Sequence, residues 1–352
     1  MMIAFSVTLA LGAGTAGAAS CTAEQGQLFI NQGRYDHAIR EFTCVIDSQP
    51  TGVEGYRGRI EAELLSGRYS DAVRDNGRVV AFVEPVNPDA EAIIMAGYDA
   101  RLASNPKDIA ALTGASFSRW YDFDYPTAIQ LANRLVGVSP HDLYGNLFRG
   151  SGRVLKGASR AAGLADLEAA LALAPDSPDV RFIVADAYTY GKEPDPHRAF
   201  EEASRALAWG LDTPRVHAIL ASAYKSFGDT LASAAHVQEH LEIVTTELVT
   251  TLPLAGGASV TLPLVAGRTF EIPLAVAAGK TLSIVTGSPD FYDTILLLLG
   301  PDGSPVLSSD DDRAFFAAFT WVAGAAGDYR LLVTSFEAIN NGQLMVTRSD
   351  GR

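Results

Sequence analysis

The most pointed chemistry in this chain sits at His236-Val-Gln-Glu239-His240. On a helix, His236 and His240 stand one turn apart on one face, and Glu239 can take a proton from a water bound to a metal held by the two imidazoles. That would be zinc-assisted hydrolysis. It needs a further acidic ligand downstream within a large α/β domain, whereas the residues after Val244 read as strands. A solvent-facing histidine pair on the last helix of a series is the plainer account. Ser222-Ala-Tyr-Lys225 spells the S-x-x-K arrangement of a lysine-activated serine, but it falls inside a helical stretch without companion motifs. Gly12-Ala-Gly14-Thr-Ala-Gly17 spells a dinucleotide fingerprint, yet it neither follows a strand nor opens a helix. There is no P-loop and no G-x-S-x-G elbow. The sequence reads as a non-enzyme.

Two further sets of residues carry chemistry of other kinds. Asp290, Asp293, Asp310, Asp311 and Asp312 supply the converging carboxylate oxygens that Ca²⁺ prefers. They lack EF-hand spacing, and a solvated acidic turn accounts for them equally; no other cofactor is indicated. Cys21 and Cys44 are the chain's two cysteines. In an antiparallel helix pair the start of the first helix lies beside the end of the second, so the two thiols can meet. In an oxidising compartment such a bridge contributes about 3 kcal/mol in the chain-entropy model. The competing reading makes Cys21, directly after Ala18-Ala-Ser20, a lipid-attachment site, although Ala18 stands where such sites usually carry Leu. The bland reading is two unpaired thiols.

The leader sets the compartment. Residues Ile3 to Gly14 are apolar and uncharged, too short to span a bilayer, and the small residues Ala16-Gly17-Ala18 follow. Residues 1–20 therefore read as a signal peptide, albeit one without a basic residue ahead of its apolar run. The expected destination is periplasmic, cell-surface or secreted. No later segment is long and apolar enough to span a membrane. A formal net charge of −14 excludes nucleic acid as a partner class, since phosphate binding needs a surplus of Lys and Arg. It disfavours an anionic membrane surface for the same reason.

The elements that must position these residues repeat. Gly33-Arg-Tyr35-Asp-His-Ala38 recurs as Gly67-Arg-Tyr69-Ser-Asp-Ala72, 34 residues later. Gly26, Phe29, Phe42 and Pro50 surround the first copy. With them the segment resembles the tetratricopeptide (TPR) repeat. More degenerate copies follow at Tyr125, Ala128, Ala132 and Pro140; at Leu147, Leu167, Ala170 and Pro175; at Ala187, Tyr190, Ala199, Ala203 and Ala206; and at Ala223, Tyr224, Gly228 and Ala234. About six repeats would fill residues 21–244, with only a single helix-like segment between Glu84 and Pro106. The alternative is an irregular helical bundle. The resemblance implies a surface lined by the first helix of each pair, and projection places Phe117, Trp120, Phe148, Tyr188, Tyr224 and Phe227 on or near it. Aromatic anchors of this kind accept an extended peptide or a partner helix. The same aromatics can instead pack between pairs.

After Thr245 the period changes from helical to alternating. Runs such as "TFEIPLAV", "TLSIVTG", "DTILLLLG" and "YRLLVTSF" alternate with turns at Ala278-Gly-Lys280, Gly300-Pro-Asp-Gly303 and Ala326-Gly-Asp328. Seven or eight short strands point to a β-sandwich over residues 245–352. The order of Ala278-Gly279-Lys-Thr-Leu282, Asp293, Pro301-Asp-Gly303, Asp310-Asp311 and Gly327-Asp-Tyr329-Arg-Leu-Leu-Val333 resembles the bacterial pre-peptidase C-terminal domain. Such domains trail secreted proteases, and no protease precedes this one. The expected fold is thus multidomain: an all-α TPR-like solenoid of helical hairpins, then an all-β, jelly-roll-like sandwich. The expected role is an exported, non-catalytic scaffold or adaptor for a protein or peptide. The alternatives are a cell-surface adhesion or glycan-binding protein whose repeats are a spacer and, remotely, a zinc hydrolase using His236, Glu239 and His240.

Overall fold

The computed structural model describes residues 21–49, 53–66, 68, 71–72, 75, 88–156, 159–265, 267–288, 293–310, 316–335 and 342–351. The signal-peptide segment, residues 1–20, lies outside them. Helix starts follow from capping chemistry. Thr22, Asp108, Asp124, Ser177, Asp195, Thr213 and Asp229 each accept a hydrogen bond from the backbone N–H three residues on. Pro178, Pro196 and Pro214 then open their helices where no N–H is required.

Twelve helices have both ends among the described residues. They are α1 (Ala23–Asn31), α2 (Tyr35–Ser48), α3 (Val53–Ser66), α4 (Pro88–Ser104), α5 (Ile109–Tyr121) and α6 (Tyr125–Val138). They continue with α7 (Leu143–Lys156), α8 (Arg160–Leu173), α9 (Pro178–Tyr190), α10 (Pro196–Ala208), α11 (Pro214–Phe227) and α12 (Thr230–Val244). Helices α1/α2, α5/α6, α7/α8, α9/α10 and α11/α12 pack as hairpins, and the first helices α1, α3, α5, α7, α9 and α11 stack in that order. Helix α4 is the extra element, because α3 and α5 meet directly while α4 packs on α5.

Small residues set the spacing within pairs. Ala128, Ala132, Ala170, Ala199, Ala203 and Ala234 are fully or almost fully enclosed. At the α7/α8 crossing a Cβ on Gly150 would lie 2.8 Å from the Gly163 carbonyl oxygen, and one on Gly163 as close to that of Gly150. Only glycine permits that approach. Buried ion pairs repeat the same alignment. Arg59 of α3 binds Asp75, Arg149 and Arg153 of α7 converge on Asp166 of α8, and Arg181 of α9 binds Glu202 of α10. Each pair ties a first helix to the chain segment that follows it. Removing one partner would strand the other charge away from water.

Among the described residues, the rest of the chain forms nine strands: β1 (Glu247–Thr250), β2 (Ser259–Leu264), β3 (Arg268–Val276), β4 (Thr281–Gly287), β5 (Thr294–Leu299), β6 (Pro305–Asp310), β7 (Ala318–Val322), β8 (Gly327–Ser335) and β9 (Gly342–Asp350). Two sheets, ordered β1-β3-β8-β5-β6 and β2-β9-β4-β7, enclose a core that includes Ile272, Leu274, Leu282, Ile284, Leu331 and Leu344. Strand β1 was not expected from the sequence. It is four residues long, mostly exposed, and held by parallel pairing with β3.

Strand β5 explains its own sequence. Its apolar run does not alternate because both of its faces are covered. Leu296 and Leu298 enter the sandwich core, while Ile295, Leu297 and Leu299 pack on Ala234, Val237, Leu241 and Val244 of α12. One strand therefore serves two cores. Truncating Leu297 to Ala should cost roughly 2–5 kcal/mol, and the helices and the sandwich should lose it together. Urea unfolding followed by the far-UV helix signal checks this: a helix transition indifferent to Leu297→Ala would show that the junction contributes nothing to the solenoid.

Candidate functional site

The six projected aromatics separate into two groups, neither of which lies on the open face of the first helices. Phe117, Trp120, Phe148 and Tyr188 are buried. Phe117 and Trp120 of α5 meet Phe148 of α7, with ring centroids 5.8 and 6.1 Å apart, and Trp120 Nε1 donates to Ser151 Oγ at 2.8 Å. These four side chains lie in the core of the stack, Phe117, Trp120 and Phe148 between successive first helices and Tyr188 beneath Arg198 of its own hairpin. Tyr224 and Phe227 point over the second helices. Tyr224 packs on Phe200 of α10 at 5.2 Å and on His236 of α12 at 5.5 Å, and Phe227 stacks on His197 at 4.7 Å. Their surface is partly open, but it faces away from the stacked first helices.

What the first-helix face does present is an ion pair flanked by phenols. Arg215 of α11 donates from Nε to Asp186 Oδ1 of α9 at 2.9 Å, and its guanidinium lies 4.4 Å from the centre of the Tyr190 ring. Burial works against the Arg215 charge, but Asp186 and the phenols of Tyr190 and Tyr121 outweigh it and raise its pKa. Tyr121 and Tyr125 enter the same electrostatic surroundings, although α7 and α9 stand between their helices and α11. Burial pushes the Tyr125 phenol up to about 12 and Tyr121 well above its ordinary value. These phenols stay neutral donors at any physiological pH.

Beyond Tyr190 the face opens into a cleft of about 300 Å³ between α11, α12 and strands β5 and β6. Ala221, Val237 and Ile295 give it an apolar lining, and Ser222, Lys225, Ser226, Ser308 and Ser309 a polar one. On α11, Arg215, Ala218, Ser222 and Ser226 follow one helical stripe, while Val216, Ile219, Leu220 and Ala223 are buried on the other side. A search for aromatics passes over this stripe. The signal that marks it is a line of small and polar residues through an otherwise apolar helix. Ser222 and Lys225 share the cleft but are both exposed, whereas a serine nucleophile requires a base held dry beside it.

The histidine motif is re-partnered. His240 is buried, and its Nδ1 donates to the Pro214 carbonyl oxygen at 2.9 Å. His236 Nδ1 instead faces His217 Nδ1 of α11 at 3.0 Å. The two imidazoles of H-x-x-E-H thus serve separate partners. Cys21 and Cys44 are joined, with Cα atoms 5.8 Å apart, and tie the start of α1 to α2. Of the acidic cluster, Asp290, Asp311 and Asp312 lie outside the described residues. Asp293 is partly exposed and precedes β5, and the β5–β6 register sets Asp310 opposite Ile295.

No protein-family model matches the chain, and no curated protein matches it. Among solved structures, the pre-peptidase C-terminal domain of collagenase from Bacillus anthracis is 12% identical over 29% of this chain and 94% of that one, with a TM-score of 0.25. TTC0263, a thermophilic TPR protein of Thermus thermophilus, is 20% identical over 58% of this chain and 97% of that one, at a TM-score of 0.34. PilF of Pseudomonas aeruginosa is 14% identical over 62% and 87%, at 0.35. The fold itself is a stack of helical hairpins followed by a two-sheet β-sandwich.

Burial depresses His240 to about 4, with His217 and Arg215 acting in the same direction against the Pro214 hydrogen bond. Burial and the His217 charge lower His236 as well. The unfolded chain accepts a proton on His240 near 6.5, whereas the folded chain refuses it. This contribution is therefore complete above the unfolded value and is lost as pH falls toward 4. Glu61 and Glu63, pushed up to about 7 and about 8 chiefly by burial, act with the opposite sign. The His240 share is thus read from a variant. His240→Gln should remove about 2 kcal/mol of the pH dependence of unfolding between pH 7 and 5. Denaturant midpoints of both proteins at the two pH values test it, and equal slopes would contradict the assignment.

Proposed function

We propose that this chain is an exported, non-catalytic scaffold that holds a protein or peptide partner along the first-helix face of its solenoid. The sandwich closes the end of that solenoid and lends one wall to the binding cleft. The observation that carries the reading is the open stripe of Arg215, Ala218, Ser222 and Ser226, bordered by Tyr190. Phe117, Trp120, Phe148 and Tyr188 are used in packing, while this surface combines a flat phenol, an ion pair and hydroxyls around an apolar lining. Such a mixture suits an extended segment, with side chains seated in the cleft and backbone groups meeting hydroxyls.

Export is supported by the bond between the chain's two cysteines, since disulfides persist in oxidising compartments. Lipid attachment at Cys21 would need the same sulfur. No helix among the described residues is long and apolar enough to cross a membrane. A non-catalytic role fits the divergence of His236 and His240.

Because β5 completes both cores, the test uses the whole chain. Captured on a support, it should retain one or a few proteins from an envelope extract of the source cell, identified by mass spectrometry. Ser222→Arg and Tyr190→Ala should each weaken retention roughly tenfold, while Met345→Arg on the outer sheet should not. Retention that survives the first two and disappears with Met345→Arg would move binding to the sandwich and leave the repeats as a spacer.

A further inference from the structure

The turns that close α1, α5 and α11 are built alike. Each contains a residue in the left-handed region whose N–H donates to the carbonyl oxygen three residues back: Gly33 to Ile30 at 2.8 Å, Phe123 to Trp120 at 3.2 Å and Gly228 to Lys225 at 3.0 Å. Glycine takes that conformation without penalty, whereas a Cβ there crowds the backbone. Phe123, at φ 59°, is the one non-glycine residue with positive φ among the described residues. Its ring gains little from the fold in return. Phe123 is 65% exposed and meets only the Tyr125 ring, edge to face at 6.1 Å. A strained backbone that holds an apolar ring out in water points to binding rather than to folding.

We propose that the Asp122-Phe123-Asp124 turn of one copy seats in the cleft between α11, α12, β5 and β6 of a second copy of this chain. The inference rests on the reading of that cleft as the partner-binding site and names its occupant. The turn offers one apolar ring between two carboxylates, of which Asp124 also caps α6. The cleft offers Ala221, Val237 and Ile295 to the ring and Ser222, Ser226 and Lys225 to the acids, with no carboxylate among its described lining residues. On a chain of net charge −14, a surface of donors without acids is where an acidic turn meets least repulsion. The cleft volume of about 300 Å³ has room for a single ring. Within one molecule α7 to α10 stand between the turn and the cleft, and the exposed ring of Phe123 does not reach it. Ring and cleft are different patches, so the contact is head-to-tail and joins copies in a series rather than as a closed pair. One ring in one cleft makes a small interface, with an expected dissociation constant on the order of 100 μM.

The test is sedimentation equilibrium of the purified full-length protein over concentrations that bracket this value. The average mass should climb with concentration past that of two copies. Phe123→Gly and Ser222→Arg should each weaken association at least tenfold. The melting temperature of Phe123→Gly should hold or rise, because the strained position now carries glycine. Mixed in equal amounts, the two variants should associate again but stop at dimers, since one keeps its cleft and the other its ring. Met345→Arg should associate like the wild type. A wild-type protein or a mixture that stays monomeric would overturn the proposal, and so would a Phe123→Gly variant that self-associates normally or melts lower. If the chain stays monomeric while envelope proteins are still retained through Ser222 and Tyr190, the cleft takes another partner and this inference alone falls.

Discussion

A stack of helical hairpins has no natural end, because the last pair always has an apolar face with nothing to cover it. Here that face belongs to α12, and β5 covers it. Ile295, Leu297 and Leu299 turn toward Ala234, Val237, Leu241 and Val244, while Leu296 and Leu298 turn the other way into the sandwich. A one-residue slip of β5 would exchange the two sets, so its register must be held firmly. Pairing with β8 on one side and β6 on the other holds it. The cleft inherits this rigidity. Tyr190 and Ser222 come from the solenoid and Ser308 and Ser309 from the sandwich, and their separation is set by the shared strand.

Within the solenoid, close approach and buried charge act together. Glycine and alanine bring paired helices near enough that an arginine of the first can reach an acid that follows it. The dehydrated charges then penalise any other alignment, because a shifted hairpin would leave them unpaired. Arg181 shows how fully such a group is satisfied: it meets Glu202, the Pro175 carbonyl oxygen and the face of Trp209. Arg215 and Asp186 use the same pairing between successive first helices rather than within a hairpin, and so the charge sits on the face where a partner would lie.

Most of the fold was legible because it rests on local rules. The repeated Gly-Arg-Tyr turn and alanines at fixed offsets marked helix pairs in the sequence, and the same alanines are buried in the structure. Alternation marked the longer strands. Strand β1 was not legible, since four mostly exposed residues carry no period and depend on β3 for their existence. The site was legible only in part. That Phe117, Trp120 and Phe148 lie on first helices follows from the repeat, but whether a ring faces solvent or the next repeat depends on the curvature of the stack. The proposed binding face is marked by what is small, and small residues in a repeat helix are as easily read as packing.

The histidines show why spacing alone could not settle the chemistry. An i, i+4 interval states that two side chains share one side of one helix; it says nothing about what the neighbouring helix offers them. Across from His240, α11 presents the Pro214 carbonyl at its first turn, a hydrogen-bond acceptor for a neutral ring. One turn back along α12, α11 presents a second imidazole, already oriented by Asp212. Two rings that one helix places alike are thus held differently by the next: His240 donates into a backbone oxygen, while His236 faces a ring able to exchange a proton with it.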